Sequence, residues 1–339
     1  MFLSLFGSFL EIKEDGRVYP ASNEAKSVLL SFEEAIVHSQ NITLHTESKI
    51  TGIVRKNGGF ELELASKKEG KISEKCGGFD AVILATGSNA APQLGAGDAG
   101  YALARTLGHE IAPLYPSLVQ LHLASLPAGL SGVKIKGIAS ILVNEKCVKT
   151  EQGDLLFTSY GISGFAILDI SQSASYALLR GKKVELLLDI APSFSKEELM
   201  QYFEESRAKM GKKRTIYALL AGIISPKIAH VILKELKIAP LILLENLPKN
   251  APKSIAKLMK SWRFSVVQTH GFKHAEVSGG GVLCEEIDPH SMASVRHQGL
   301  YFAGEMIDIV GQRGGYNLAF AWASGRLAAL SAVEFLKHR

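Results

Sequence analysis

The chain has 339 residues, 47% hydrophobic and 21% charged, enough to bury a core without disulfides and to divide into two or three domains. Its formal charge is +5, from 38 Lys and Arg against 33 acids, and the one local concentration, Arg207-Ala-Lys-Met-Gly-Lys-Lys-Arg214, reads as a solvated helix end rather than a nucleic-acid patch. Cys76, Cys147 and Cys284 form no C-x-x-C pair, which excludes a locally written zinc or dithiol site, implies no bound metal, and fits a reducing cytoplasm.

The opening Met1-Phe-Leu-Ser-Leu-Phe-Gly-Ser-Phe-Leu10 is apolar. No Lys or Arg precedes it and Glu11 follows without a small-residue cleavage site, so it reads as buried protein rather than a signal peptide. No run approaches the roughly 18 apolar residues of a membrane helix, and no membrane partner is expected. Residues 22–39 carry helical spacing (Ala25, Val28, Leu29, Phe32, Ile36) behind Ser22 or Asn23 as N-cap, and lead into a strand at 42–44. Residues 50–54 and 60–64 alternate as strands joined by Asn57-Gly58-Gly59, a hairpin signal. A buried strand over 79–85 stops at Thr86-Gly87, a helix covers 99–108, and Pro113 and Pro116 mark a change of region.

From about 115 to 265 the texture is different. Strands are predicted at 133–143, at 147–158 with a turn at Gln152-Gly153, and at 184–190. Helices follow: Ser195-Lys-Glu-Glu198 is a capping box, Pro226 sits in a first helical turn, and 252–262 is helical. Strand character returns at 264–269 and 273–277, before the run Gly279-Gly280-Gly281.

The last segment carries the most information. Gly299-Leu-Tyr-Phe-Ala-Gly-Glu305, Asp308 and Gly311-Gln-Arg-Gly-Gly-Tyr-Asn317 read as strand, glycine loop and long helix. Gly304 lets backbone approach a ligand, Glu305 and Asp308 offer acceptors for hydroxyls, and Gly314 and Gly315 free the amides of a helix opening near Tyr316. Ala321, Gly325, Ala328 and Ala329 form a small-residue stripe suited to lying against a sheet. The organisation expected is one α/β domain built from both ends of the chain (1–114 and 266–339), with a mixed β and helical substrate domain inserted over 115–265.

Gly95-Ala-Gly-Asp-Ala-Gly100 matches G-x-G-x-x-G letter for letter but lacks its context. The motif works when its glycines follow directly on a strand, whereas residues 88–94, with Pro92 among them, intervene here. No second parallel strand ending in an acid follows the helix either: Ile111-Ala-Pro-Leu-Tyr-Pro is short and twice broken by proline. The match is read as a turn and helix start.

Several blocks in order resemble one flavoprotein family: Gly16-Arg-Val-Tyr-Pro20, Ala85-Thr-Gly87, Gly95-x-Gly-Asp-x-Gly-Tyr101 with Leu107-Gly-His109, Pro116-Ser-Leu-Val119, Leu156-Phe-Thr-Ser-Tyr-Gly-Ile-Ser-Gly164, Gly280-Gly-Val282, Leu300-Tyr-Phe-Ala-Gly-Glu305 and Gly314-Gly-Tyr-Asn317. The chain is similar, nearly from end to end, to bacterial NAD(P)/FAD-dependent oxidoreductases of the aminoacetone oxidase and bile-acid 3-dehydro-Δ4,6-reductase type. The resemblance implies a glutathione-reductase-like FAD-binding domain interrupted by a β-barrel-like plus helical insertion. It implies that Glu305 meets the ribityl hydroxyls, that Gly304 and the amides of Gly314, Gly315, Tyr316, Asn317 and Leu318 approach the flavin and pyrophosphate, and that Asn317 adds its side chain. Ala85, Thr86 and Gly87 would pass the adenosine half, the Ile50 backbone would face adenine, and the turn at 279–282 would lie near the flavin ring. Ser88, Phe165 and Ser278 depart mildly from the family's residues. The larger departure is that the family opens with a βαβ unit bearing the true G-x-G-x-x-G, so the domain is expected to be N-terminally truncated here: either the true start lies upstream, or a separate upstream polypeptide completes the domain, or the chain is a damaged fragment.

The activity implied is hydride transfer between flavin N5 and a small organic substrate or reduced nicotinamide, NAD(P)H. No catalytic acid or base is assigned; His109, His122, His270, His274, His290, Tyr160 and Tyr316 are candidates, but structural hydrogen bonding explains the histidines better and core packing the tyrosines. The alternatives are a non-catalytic remnant or half of a split flavoprotein, and an RNA-modifying flavoprotein, which the short basic cluster supports least.

Overall fold

A computed structural model describes residues 10–14, 16–65 and 72–339; the reading of residues 1–9 as buried protein lies outside them. A small hairpin, β1 (Leu10–Ile12) and β2 (Val18–Pro20), precedes helix α1 (Ala25–Val37). α1 rests on the last helix of the chain through Phe32 stacked on Trp322, ring centroids 5.4 Å apart. The strand expected over 42–44 does not form; that segment is irregular backbone. Next comes an antiparallel sheet of β3 (Lys49–Lys56), β4 (Gly59–Ala65) and β5 (Ile72–Phe79). Its first turn is the predicted one, with Asn57 at φ 51° and Gly58 at φ 81°, the left-handed pair that matches strand twist in a two-residue hairpin.

β6 (Val82–Leu84) leads into α2 (Ala99–Thr106) and then β7 (Ile111–Ser117). The helix is set tightly on the end of β6: a Cβ at Gly100 would lie 1.7 Å from Thr86 Oγ1. The last glycine of the G-x-G-x-x-G match therefore serves packing inside α2, and a 3-10 turn over Pro92–Leu94 separates the motif from the strand, in accord with its reading as a turn and helix start. β7 corrects the expectation that its prolines break it. It pairs antiparallel with β14 (Val277–Val282), in a ribbon only two strands wide, so prolines 113 and 116 are accommodated beside a register shift.

A closed six-stranded barrel follows, from β8 (Leu121–Leu123), β9 (Lys134–Val143), β10 (Lys146–Phe157), β11 (Gly161–Ser163), β12 (Val184–Asp189) and β13 (Trp262–Thr269). β10 runs straight through Gln152 and Gly153, where a turn is expected, because barrel closure keeps them in the ladder to β9, Gln152 opposite Ile138 and Gly153 opposite Gly137; its one bulge lies earlier, between Cys147 and Lys149. α3 (Phe165–Leu179) lies between β11 and β12; α4 (Lys196–Met210), α5 (Ile216–Leu220), α6 (Pro226–Glu235) and α7 (Ala251–Lys260) fill the connection from β12 to β13. The capping box of α4 is present, with Glu198 N donating to Ser195 Oγ at 3.0 Å and Ser195 N to Glu198 Oε2 at 2.7 Å. Barrel and helices share one core, in which Leu121, Phe157, Ile170 and Leu186 are fully buried.

The glycine run lies inside β14 rather than after a strand, because the Tyr115 ring of β7 lies across it; a Cβ on Gly279 would come 2.1 Å from the ring. β15 (Leu300–Phe302) pairs parallel with β6, Leu300 opposite Val82, and the long helix α8 (Tyr316–Lys337) packs on β15. The buried stripe of α8 is Ser324, Ala328 and Ala332, whereas Ala321 and Ala329 of the expected stripe are exposed. This second core holds Phe60, Tyr101, Leu300, Phe302 and Ala328. No helix among the described residues is long and apolar enough to cross a membrane.

Candidate functional site

The ends of β6, β14 and β15 converge on one carboxylate. β15 stops into a 3-10 turn, Gly304–Met306, whose Gly304 N–H donates to Ser324 Oγ of α8 at 2.9 Å. That turn directs Glu305 to β14, where its Oε1 accepts from the Ser278 N–H at 2.8 Å, and the Ser88 hydroxyl beyond β6 bonds the same carboxyl. Burial raises the Glu305 pKa above the ordinary carboxyl value, and the bonds from Ser278 and Ser88 oppose the rise. Beneath it Tyr101, fully buried, donates its O–H to the Glu305 carbonyl at 3.2 Å. Asp308 accepts from the Gly280 N–H at 3.0 Å, so a second acid grips the glycine strand.

Beyond Asp308 the loop to α8 is closed on itself. Asn317 Oδ1 accepts from Gly311 N–H at 2.8 Å while Asn317 Nδ2 donates to Gly311 O at 3.0 Å. Gly314 and Gly315 then take φ values of 116° and 97°, conformations that side chains rarely adopt, and Gly315 caps α8 without any side-chain bond to the first turn. The opening amides of a helix have no partner within it, so this end presents donors and the positive pole of the helix dipole to whatever lies in front. In front lies a groove of about 380 Å³ lined by Leu118, Glu276, Glu305, Arg313, Gly314, Gly315, Asn317, Leu318 and neighbours. Arg313 in its wall has a buried Nε without a partner, and its Nη2 is 3.4 Å from Oδ2 of Asp169, a residue outside the lining whose buried Oδ1 is likewise unpartnered. The Arg313 guanidinium lies 3.8 Å from the centroid of the Phe165 ring, which fixes it in place.

Of the residues singled out from the sequence, Glu305, Gly314, Gly315, Asn317 and Leu318 come together on this groove. Gly304 stands behind Glu305, bonded to α8. Tyr316 is exposed and borders a separate cleft with Arg17, Arg313 and Gly314. Ala85, Thr86 and Gly87 follow β6 on the far side of Ser88, and Ile50 lies in β3, paired with Leu64; none of these four lines the groove. The Asn317 side chain bonds both backbone polar groups of Gly311, so it braces the loop while lining the groove. The residues missed were Arg313, Ser88, Ser278, Leu118 and Glu276. Arg313, inside the Gly311 to Asn317 block, Leu118, inside the Pro116 to Val119 block, and Ser88 and Ser278, at family positions, were within reach, whereas Glu276 carries no signal that separates it from an ordinary strand-flanking residue.

The candidate histidines lie elsewhere. His109 is buried between Glu286, 2.7 Å from its Nδ1, and Ser294, 3.0 Å from its Nε2, in a network that ties α2 to the loop before β15. Desolvation lowers its pKa, with Glu286 opposing. His122, His270 and His274 cluster at one mouth of the barrel with Tyr160, whose ring stacks on His270 at 4.2 Å. None of them lines the groove. Among the described residues no group of three or more His, Cys, Asp or Glu side chains is arranged to hold a metal ion.

Residues 2–331 match the family described as HI0933-like protein Rossmann domain. The chain is 30% identical over 334 residues to a 3-dehydro-bile acid delta(4,6)-reductase of Clostridium scindens, covering 98% of this chain and 79% of that protein. It is 32% identical over 253 residues to a ribosomal RNA dihydrouridine synthase of Haemophilus influenzae, covering 74% of this chain and 59% of that protein. A ribosomal RNA dihydrouridine synthase of Escherichia coli is 30% identical over 297 residues, 86% of this chain and 68% of that protein. The chain belongs to the HI0933-like family.

Proposed function

We propose that this protein is a flavin-dependent oxidoreductase that holds FAD across the groove in front of α8. The observation that carries the reading is the meeting of Glu305 and the uncapped end of α8 on one groove. A hydroxylated chain ending in a pyrophosphate needs an acceptor for its hydroxyls beside donors for its phosphates, at about this spacing of one turn and one helix end. The groove, about 380 Å³, fits the middle of such a molecule. Glu305 would accept from ribityl hydroxyls, and the amides of Gly315, Tyr316, Asn317 and Leu318 would face the pyrophosphate. Ala85, Thr86 and Gly87 would border the adenosine half, with the Ile50 backbone toward adenine. FAD when bound supplies hydride exchange at N5 with an organic ring or with NAD(P)H.

The names of the relatives describe one kind of chemistry. A delta(4,6)-reductase and a dihydrouridine synthase each add two hydrogens across a carbon–carbon double bond of a ring bearing a carbonyl. We assign this chain to the same reaction class, with a ring substrate carried either on a small organic acid or in RNA. The outer edge of β6 pairs with no other strand among the described residues, which is where an upstream polypeptide would complete the sheet. Three exposed free thiols suit a reducing cytoplasm.

The test is titration of the purified chain with FAD, followed by quenching of flavin fluorescence, for the parent and Glu305→Ala. Saturable binding that the substitution weakens at least tenfold is expected; equal binding by both proteins, or none by either, overturns the proposal.

A further inference from the structure

Residues 211–260, which form α5, α6, α7 and their connections, hold ten Lys and Arg against two Glu. That is a formal +8 in a chain whose total is +5, so the remaining residues sum to −3. Three of these charges, Lys212, Lys213 and Arg214, belong to the basic cluster visible in the sequence; the other seven are spaced along it. On α6, Ile228, Val231 and Ile232 face the core while Lys227 and Lys234, with Lys237 just past the end, stay exposed. On α7, Ala251, Ile255 and Met259 are buried while Lys253 and Lys257, with Lys249 before it, stay exposed. α6 and α7 pack on one another, so both sets belong to one helical unit.

These six lysines form no ion pair among the described residues. Lys260 by contrast is bound to Asp189 at 2.5 Å, and the nearest acid on α6, Glu235, is turned to the Trp262 indole N–H at 3.0 Å. Cations left without counter-charges repel one another and persist at a cost that an external polyanion removes. Lys rather than Arg supplies nine of the ten charges, the pattern for neutralising phosphates as point charges rather than reading base edges bidentately. A bilayer would need aromatic or aliphatic side chains on the same outward faces of α6 and α7, and there the apolar residues point inward.

We infer that the helical unit over residues 211–260 is an RNA-binding surface that engages the phosphodiester backbone. The choice of RNA rests on the proposed function, in the form where the substrate ring is carried in RNA; the surface itself shares no residue with the groove. The experiment uses the full chain and a fluorescein-labelled RNA hairpin, with binding followed by anisotropy from low to high salt. Two variants are compared, Lys227→Glu/Lys234→Glu/Lys253→Glu/Lys257→Glu and a control of equal charge change on the barrel and elsewhere, Lys136→Glu/Lys146→Glu/Lys182→Glu/Lys56→Glu. The helical-unit variant is expected to bind at least tenfold more weakly than the control and to flatten the dependence of log K on log salt by about 3, roughly 0.7–0.9 for each of the four phosphates no longer neutralised. A quadruple Lys→Gln set at the helical positions, with unfolding midpoints for all proteins, distinguishes weaker phosphate binding from unfolding. Equal weakening by control and helical-unit variants overturns the inference, as does equal or tighter binding of a DNA duplex of the same length or of anionic phosphatidylserine vesicles. FAD content, measured on the same samples, reports the flavin reading separately: absence of RNA binding in a parent protein that retains flavin fails this inference alone.

Discussion

Replacing Asn317 by Ala tests whether the loop in front of α8 is built by one side-chain amide. Asn317 makes two partly buried bonds, 2.8 Å from Gly311 N and 3.0 Å to Gly311 O, and the substitution leaves both backbone groups without that partner. At about 1 kcal/mol for each bond the loss is about 2 kcal/mol, and Ala recovers about 0.5 kcal/mol through better helix propensity in the first turn. The remaining ~1.5 kcal/mol falls on the order of the loop that carries Gly314 and Gly315, and if FAD must restore that order on binding, its Kd rises roughly tenfold. The assay is FAD titration of parent and variant, with urea unfolding of the flavin-free proteins alongside. Because these bonds lie within one loop at the start of a 22-residue helix whose buried stripe is further along, the unfolding midpoint should move little. An unchanged Kd would refute the argument, as would a weakened Kd matched by an equal loss of global stability.

Two further outcomes follow from close packing and from titration. Gly100→Ala should destabilise by about 1–3 kcal/mol in urea unfolding, although alanine in a helix normally stabilises, because the new Cβ meets Thr86 Oγ1 at 1.7 Å; adding Thr86→Ala should recover part of the loss, and a Gly100→Ala protein as stable as its parent would show that the close approach is not real. Burial raises the Glu305 pKa, so the native state holds that proton more tightly than the unfolded chain, and stability should fall as pH rises from the ordinary carboxyl value to the raised one. Glu305→Gln should flatten the fall in that window, as read from urea midpoints across a pH series, and identical slopes for parent and variant would contradict the assignment.

What could be read from the residue order was whatever depends on neighbours in the chain. The Asn57-Gly58 turn, the capping box at Ser195, the strand, loop and helix around Glu305, and the rejection of Gly95 to Gly100 as a phosphate loop are all local, since each rests on turn chemistry or on what directly precedes a glycine. Tertiary structure decided the rest. Only packing on β7 shows why residues 279 and 280 are glycine, only the backbone of Met306 to Asp308 shows it for Gly281, only a closed barrel explains why β10 passes Gly153 without turning, and only the loop geometry shows Asn317 bracing Gly311. The same holds for charge: along the chain the lysines of 211–260 are diluted by the apolar residues between them. Folding sends those residues into the core and leaves the cations together outside, because burial costs a methyl group nothing and an ammonium a great deal.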